Sequence, residues 1–271
     1  MPELPEVETI LRGLAPALIS RRVTDVVIRE ARLRTPLARD FAARLTGRRV
    51  VDLQRHGKFM LIGLDDGCVW LVHLGMTGRL TLGAGARPEQ PHDHVIVRFD
   101  DGRALTYNDT RRFGRLAVIA REAVGAQTVA GIDALSDGLT GEALRSGARR
   151  HGGTTVKALL MDQREIAGLG NIYVNEILFH AGIRPRRRAG RLSRADCARL
   201  VGATRSVLAT AIARGGSSIS DYRDGFERFG SYQLQHQVYD RAGEPCRRCG
   251  APVRGCVITG RSSFYCPGCQ R

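Results

Sequence analysis

Apolar residues at Val7, Ile10, Leu11 and Leu14 recur at helical spacing behind Pro5. The chain is therefore expected to open with an amphipathic helix whose first turn tolerates the missing proline N–H. From Val23 the period changes to two. Val23 to Arg29, Arg49 to Arg55, Phe59 to Leu64, Cys68 to Leu74, His94 to Phe99 and Arg115 to Ile119 read as strands. Asp65-Asp66-Gly67 and Asp100-Asp101-Gly102 read as tight hairpins between such runs. Short strands at this spacing predict a β-sandwich, capped by the first helix and spanning residues 1–121. A Gly/Ala/Asp-mixed linker is expected over 122–136. Helical periodicity from about 140 to 214 defines a second domain, 137–230, with a Gly-Gly-Ser-Ser break at 215–218. Residues 231–271 have the composition of loops and a metal ribbon. The fold class is α+β and multidomain, with no internal repeat and no low-complexity tract.

Composition narrows the partner. The net charge of +15 favours a polyanion, nucleic acid before an acidic protein. Ribosomal and RNA-binding proteins share this balance, so it fixes the partner class only. Of 42 basic residues only Lys58 and Lys157 are lysines. Arginine stays protonated in proteins whereas lysine can move a proton, which makes both lysines candidates for chemistry. No apolar run approaches a membrane span and the start lacks a signal peptide, so a cytoplasmic protein is expected.

Seven cysteines include Cys246-x-x-Cys249 and, sixteen residues on, Cys266-x-x-Cys269. That spacing predicts one tetrahedral zinc per chain in a reducing compartment, not a disulfide framework. Four protein thiolates leave no open position, so the zinc is structural. Cys256, between the pairs, is the expected non-ligand.

The octapeptide Met1-Pro2-Glu3-Leu4-Pro5-Glu6-Val7-Glu8 carries the candidate chemistry. Removal of Met1 would expose Pro2 as a secondary amine, and α-amino groups titrate at roughly 7.7–8.0. Such an amine attacking a sugar carbon gives an iminium, an electron sink like a lysine Schiff base. The positive end of the helix dipole favours the neutral amine, and Glu3 and Glu6 supply proton donors and acceptors. Read plainly, the same residues make an ordinary helix with acids at its favourable end. Lys58 falls in a turn between two strands, and His73-Leu74-Gly75-Met76 at a strand end. Asn108 to Gly114 places Arg111, Arg112 and Phe113 in a loop. An apolar wedge with an arginine is how proteins kink DNA and hold a flipped nucleotide. Gly168-Leu169-Gly170-Asn171 opens a helix whose N-terminus suits an anion. Arg261 falls at a hairpin tip within reach of phosphate.

Taken together these motifs resemble bacterial formamidopyrimidine-DNA glycosylase, over essentially the whole chain from Pro2 to Cys269. The resemblance implies a helix–two-turn–helix element around Asn171 and a bifunctional glycosylase and abasic-site lyase. Its expected substrate is double-stranded DNA containing oxidised purines (8-oxoguanine, formamidopyrimidines) or abasic sites, met as a monomer in a bacterial cytoplasm or nucleoid. It implies Pro2 as nucleophile, Glu3 as acid, Glu6 as an orienting group, and Lys58 and Arg261 as helpers of elimination. Met76 and Phe113 would fill the gap left by the flipped base, and Arg111 would meet the orphaned cytosine. His73, His92, Arg149 and Asn171 would contact DNA, and the loop 215–232 would close over the everted base. Three departures stand out: Thr110 where proline is usual, Gly153 where a basic residue is common, and Phe229-Gly230-Ser231-Tyr232. Arg149 and Arg150 are the candidates to substitute for Gly153. The six arginines of 182–194 are expected to form a solvated basic edge. Two other readings remain: an endonuclease-VIII-like enzyme for oxidised pyrimidines, against which Leu4 and Arg111 to Phe113 argue, and a noncatalytic zinc-ribbon protein binding RNA or damaged DNA.

Overall fold

A computed structural model of the chain describes residues 2–85, 88–218 and 222–271. Two units are distinguished: 1–128 with 214–231, and 129–213 with 232–271. In the first, helix α1 (Leu4–Leu18) precedes β1 (Val23–Ile28), a short helix α2 (Phe41–Leu45), and strands β2 (Val50–His56), β3 (Phe59–Leu64), β4 (Cys68–His73), β5 (Arg79–Ala84), β6 (Asp93–Phe99), β7 (Arg103–Asn108) and β8 (Arg115–Ala120). The strands form two antiparallel four-stranded sheets, ordered β1-β6-β7-β5 and β2-β3-β4-β8. Their inner faces share one apolar cluster with the buried stripe of α1, including Ile10, Leu14, Trp70, Val72, Val95, Leu105 and Tyr107. The expected sandwich with a helical cap is what forms.

Two strands and a helix lie outside the expected pattern. In β7, Ala104 to Tyr107 are buried in succession, so a strand covered on both faces does not alternate. In β5, Leu80 and Leu82 alternate with Arg79, Thr81 and Gly83 over too few residues to stand out. Helix α2 buries only Phe41 and Leu45. Beyond β8 a 3-10 turn (Arg121–Ala123) leads into a one-turn helix, α3 (Val124–Gln127).

The second unit contains β9 (Ile132–Asp133), α4 (Gly141–Arg150), α5 (Val156–Met161), β10 (Ile166–Ala167), α6 (Asn171–His180) and α7 (Arg194–Ala213). β9 and β10 pair in parallel. Thr140 and Thr155 cap α4 and α5, their side chains accepting from Ala143 and Ala158 N–H. α6 is buried from Ile172 to Phe179, so it is the central helix and shows no amphipathic stripe. The chain ends in an antiparallel hairpin of β11 (Arg254–Ile258) and β12 (Arg261–Tyr265). No helix among the described residues is long and apolar enough to cross a membrane.

Candidate active site

Pro2 and Glu3 are buried where α1 begins, with Glu3 as the N-cap residue. The Glu3 N–H donates to Glu6 Oε2 at 2.9 Å. Glu6, itself only 1% exposed, uses Oε1 to accept the Ser217 N–H at 2.7 Å, and its carbonyl accepts the Tyr222 hydroxyl at 3.3 Å. One carboxylate thus ties the start of the chain to the Gly/Ser-rich segment more than two hundred residues later. Gly216 is obligatory here: its φ is +81°, and a Cβ would lie 2.7 Å from Glu6 Oε1. Burial and the nearby Glu6 carboxylate raise the Tyr222 pKa, keeping that hydroxyl a donor. Residues 219–221 of this segment, and Met1, lie outside the described residues.

Lys58 is buried in the β2–β3 turn, which Gly57 permits with φ +57°. The turn is braced by Arg55, whose Nη1 donates to Gly57 O at 2.9 Å and Nε to Glu8 Oε2 at 2.7 Å. Burial opposes ionisation of Glu8, but hydrogen bonds from Arg55 and Arg12 outweigh it and hold its pKa below the usual range. Sequence reasoning overlooked this pair, since Glu8 and Arg55 look like surface charges until α1 lies across β2. His73, at the end of β4, packs at a tilt against Phe59 with ring centroids 4.7 Å apart and accepts the Gly75 N–H through Nδ1 at 3.1 Å. Burial first, then the positive charges of Lys58, Arg34 and Arg115, push its pKa down to about 4. His73 is therefore a neutral acceptor near pH 7.

Met76, Arg111 and Phe113 come together although 35 residues separate the first two. Arg111 Nη1 sits 3.4 Å from Met76 Sδ, and its guanidinium lies 4.5 Å from the Phe113 ring centroid. Met76 and Phe113 stay 39% and 40% exposed, an apolar pair held out toward solvent with an arginine between them. Gly75 is required beneath them, since its φ is +62° and a Cβ would meet the Phe113 carbonyl carbon at 2.5 Å. The residue that sequence reasoning passed over is Asp109, fully buried below this tip. Of the neighbouring histidines, His92 is exposed in a left-handed conformation (φ +69°), while His94 is buried with Nε2 2.7 Å from Asp109 O.

In the second unit, Arg149 is exposed in the last turn of α4. Asn171 opens α6, its Oδ1 buried without a partner. Arg261 is exposed at the start of β12, after a turn with Thr259 and Gly260 at φ +46° and +71°. Lys157, expected to be available for chemistry, instead is fully buried. Its Nζ donates to Ser262 O and Ser263 Oγ, both at 2.7 Å, and so holds the hairpin tip beside Arg261. A compact ammonium with several donors fits that enclosed position better than a guanidinium fork. Asn175 accepts the Phe264 N–H (2.8 Å), and Glu176 accepts those of Gln237, Val238 and Tyr239 (2.8–3.0 Å). The basic loop after α6 is not simply solvated either. Arg184 donates to Gln270 O, Arg187 to Asp196, and Arg188 to Gly153 O.

Cys246, Cys249, Cys266 and Cys269 bring their sulfurs within 4.8 Å of one another. Cys246 and Cys269 Sγ are 3.9 Å apart, and Cys249 and Cys266 Sγ 3.4 Å. Four sulfurs around a zinc at about 2.3 Å have edges of about 3.8 Å, so the donor set fits a tetrahedral ion. Cys256 pairs across the hairpin with Ser263 and stands apart from the cluster.

Residues 1–116 match the family model of the formamidopyrimidine-DNA glycosylase N-terminal domain, and residues 130–223 that of the formamidopyrimidine-DNA glycosylase H2TH domain. The chain belongs to the formamidopyrimidine-DNA glycosylase family. The formamidopyrimidine-DNA glycosylase of Thiobacillus denitrificans is 48% identical over 274 residues, and that of Cereibacter sphaeroides 45% over 286, with full coverage of both chains in each case. Among solved structures, the Thermus thermophilus MutM (Fpg) protein superposes with a TM-score of 0.87 at 38% identity, covering 99% of this chain and 98% of that one. A Lactococcus lactis Fpg variant bound to DNA containing Fapy-dG gives 0.92 at 31% identity over both full chains. The L. lactis Fpg in complex with DNA containing an abasic site gives 0.91 at 30%, again over both full chains.

Proposed function

We propose that this member of the formamidopyrimidine-DNA glycosylase family removes oxidised purines from double-stranded DNA and then cuts the strand at the abasic site. The observation that carries the reading is the Glu6 carboxylate. It fixes the backbone of Glu3 on one side and of Ser217 on the other, so that Pro2 and Glu3 sit in a buried, preorganised corner. With Met1 removed, the Pro2 nitrogen lone pair attacks C1′ of an everted nucleotide. The C1′–N bond breaks and the base leaves with the bonding electrons. Glu3 gives its proton to the deoxyribose ring oxygen as the C1′–O4′ bond breaks and Pro2 sheds its N–H proton, which forms the C1′=N iminium. The ring-opened iminium then acidifies the C2′ proton. Its loss expels the 3′ phosphate, and a second elimination expels the 5′ phosphate, with the Lys58 and Arg261 charges assisting departure. Met76, Arg111 and Phe113 occupy the gap in the stack. His73, His92, Arg149 and the N-terminus of α6 at Asn171 hold phosphates around it. The four cysteines would hold one structural zinc, which cross-links the hairpin carrying Arg261. This reading places the protein on the DNA of a bacterial cytoplasm, acting as a monomer.

Borohydride reduction in the presence of lesion-containing duplex tests the central step. A trapped adduct is expected on the N-terminal peptide, and one extra residue ahead of Pro2 should abolish it. Glu3→Gln cannot supply the proton and should lower 8-oxoguanine excision by about 10²–10⁴-fold, with trapping on preformed abasic DNA largely retained. An adduct on Lys58, or none on any lesion duplex, would overturn the assignment of Pro2.

A further inference from the structure

We infer that Asp109 is a positioning residue for base eversion, its single buried carboxylate locking the Met76 turn and the Arg111–Phe113 tip into one wedge. Oδ1 accepts the Thr77 hydroxyl at 2.5 Å and the Arg111 N–H at 3.3 Å. Oδ2 accepts the Tyr107 hydroxyl at 2.8 Å and the Gly114 N–H at 2.9 Å. These four donors come from the residue after Met76, from both ends of the Arg111–Phe113 segment, and from the core strand β7. The backbone of Asp109 adds further ties: its N–H donates to His92 O at 3.1 Å, and its carbonyl meets His94 Nε2 and the Arg112 N–H. The Thr77 hydroxyl completes the junction: while it donates to Asp109, its Oγ1 also accepts the Arg111 N–H at 3.2 Å. Residues 108–114 contain no proline, and Arg112 sits in a left-handed conformation at φ +57°.

A carboxylate with no exposed surface is a costly choice where only packing is needed. Its presence under an exposed methionine and phenylalanine is explained if those side chains must hold their place against a base stack. Eversion of a paired base costs a few kcal/mol of unstacking, and least where the base is already missing. A loose wedge therefore penalises base removal and spares cleavage at a preformed abasic site. This inference rests on the wedge role proposed above for Met76, Arg111 and Phe113.

The test uses the full, zinc-loaded chain and four substitutions, with 2-aminopurine placed beside the lesion to report unstacking. Asp109→Asn puts an NH₂ against two of the four donors. It should slow single-turnover 8-oxoguanine excision by about tenfold or more, leave abasic-site cleavage within about threefold, and lower the 2-aminopurine amplitude. Thr77→Val removes one donor to the carboxylate and the second acceptor of the Arg111 N–H, and should show the same split at smaller size, even if Asp109→Asn fails to fold. In a Met76→Ala background Thr77→Val should add clearly less than it costs alone, because Thr77 steadies the Met76 turn together with the Arg111 tip. Equal losses on both substrates for Thr77→Val, or additive losses with Met76→Ala, would overturn the role of Asp109. Met76→Ala and Phe113→Ala serve as the separate check. If neither spares abasic cleavage, the wedge reading itself falls and this inference with it. If both do and the Asp109 and Thr77 variants do not, only the positioning role falls.

Discussion

The two functional regions use the same device on very different foundations. In the first unit, Glu6 and Asp109 are buried carboxylates that gather backbone N–H groups beneath the start of α1 and an exposed tip. In the second, Glu176 and Asn175 likewise accept backbone N–H groups, and Lys157 donates to Ser262 O and Ser263 Oγ in the hairpin that carries Arg261. The difference is what surrounds them. Glu6 and Asp109 are set in or beside a continuous sandwich core. Among the described residues, the buried cluster at the hairpin comprises Phe179, Val238, Val253 and two of the clustered cysteines, with Ala251, Phe264 and Cys269 packed against it. A small core rarely stabilises a fold unaided, and metal or disulfide staples make up the difference. Polar hubs in the first unit can therefore be specialised for positioning, whereas those in the second also hold the fold.

The strongest way to break that contrast is to remove the zinc proposed for the four cysteines. Structural zinc supplies roughly 10–16 kcal/mol of apparent binding free energy in small metal modules. Chelation, or Cys249→Ser, should abolish hydrogen-exchange protection over residues 243–271 and leave the strands β2, β3 and β4 protected. Cys256→Ser should keep its zinc. Loss of protection in the sandwich as well would mean the two foundations are not independent.

A matched pair of substitutions sharpens the contrast at a smaller scale. Glu176→Gln replaces a carboxylate serving three backbone donors with one acceptor oxygen and two competing donors, and should cost about 2–3 kcal/mol by denaturant unfolding. Glu6→Gln is expected to cost only about 1 kcal/mol while excision drops by more than tenfold. Equal destabilisation by both, with activity tracking stability alone, would remove the distinction.

Acid provides the mildest probe. Burial, followed by the charges of Arg247 and Arg241, pushes the His236 pKa down to about 4. The unfolded chain takes up this proton near pH 6.5 and the folded chain does not, so stability is full above about 6.5 and falls as pH drops toward 4. The loss by pH 5 should be about 2 kcal/mol for this 5%-exposed side chain. His236→Phe should flatten the dependence in the second unit. His73 in the first unit, also at about 4, should still report there. An unchanged pH profile in His236→Phe would assign the acid sensitivity elsewhere.

Local patterns along the chain carried much of the fold. Period-two alternation bounded by Asp-Asp-Gly turns specified six strands of the sandwich, and the two Cys-x-x-Cys pairs specified the sulfur cluster, because both signals are local. The N-terminal octapeptide and the Arg111–Phe113 loop stood out as candidate sites, since amines, acids and apolar tips declare themselves by residue type. The remaining features depend on segments distant along the chain. β7 is buried on both faces, so it carries no alternation to read. Glu6 meets Ser217, Arg55 braces Glu8, and Lys157 meets Ser262 only because folding brings those segments into contact. Asp109 looks like a turn residue until four donors from three segments close around it. A buried ionised group is acceptable only when such partners converge, and that convergence is a property of the fold, which no window of sequence contains.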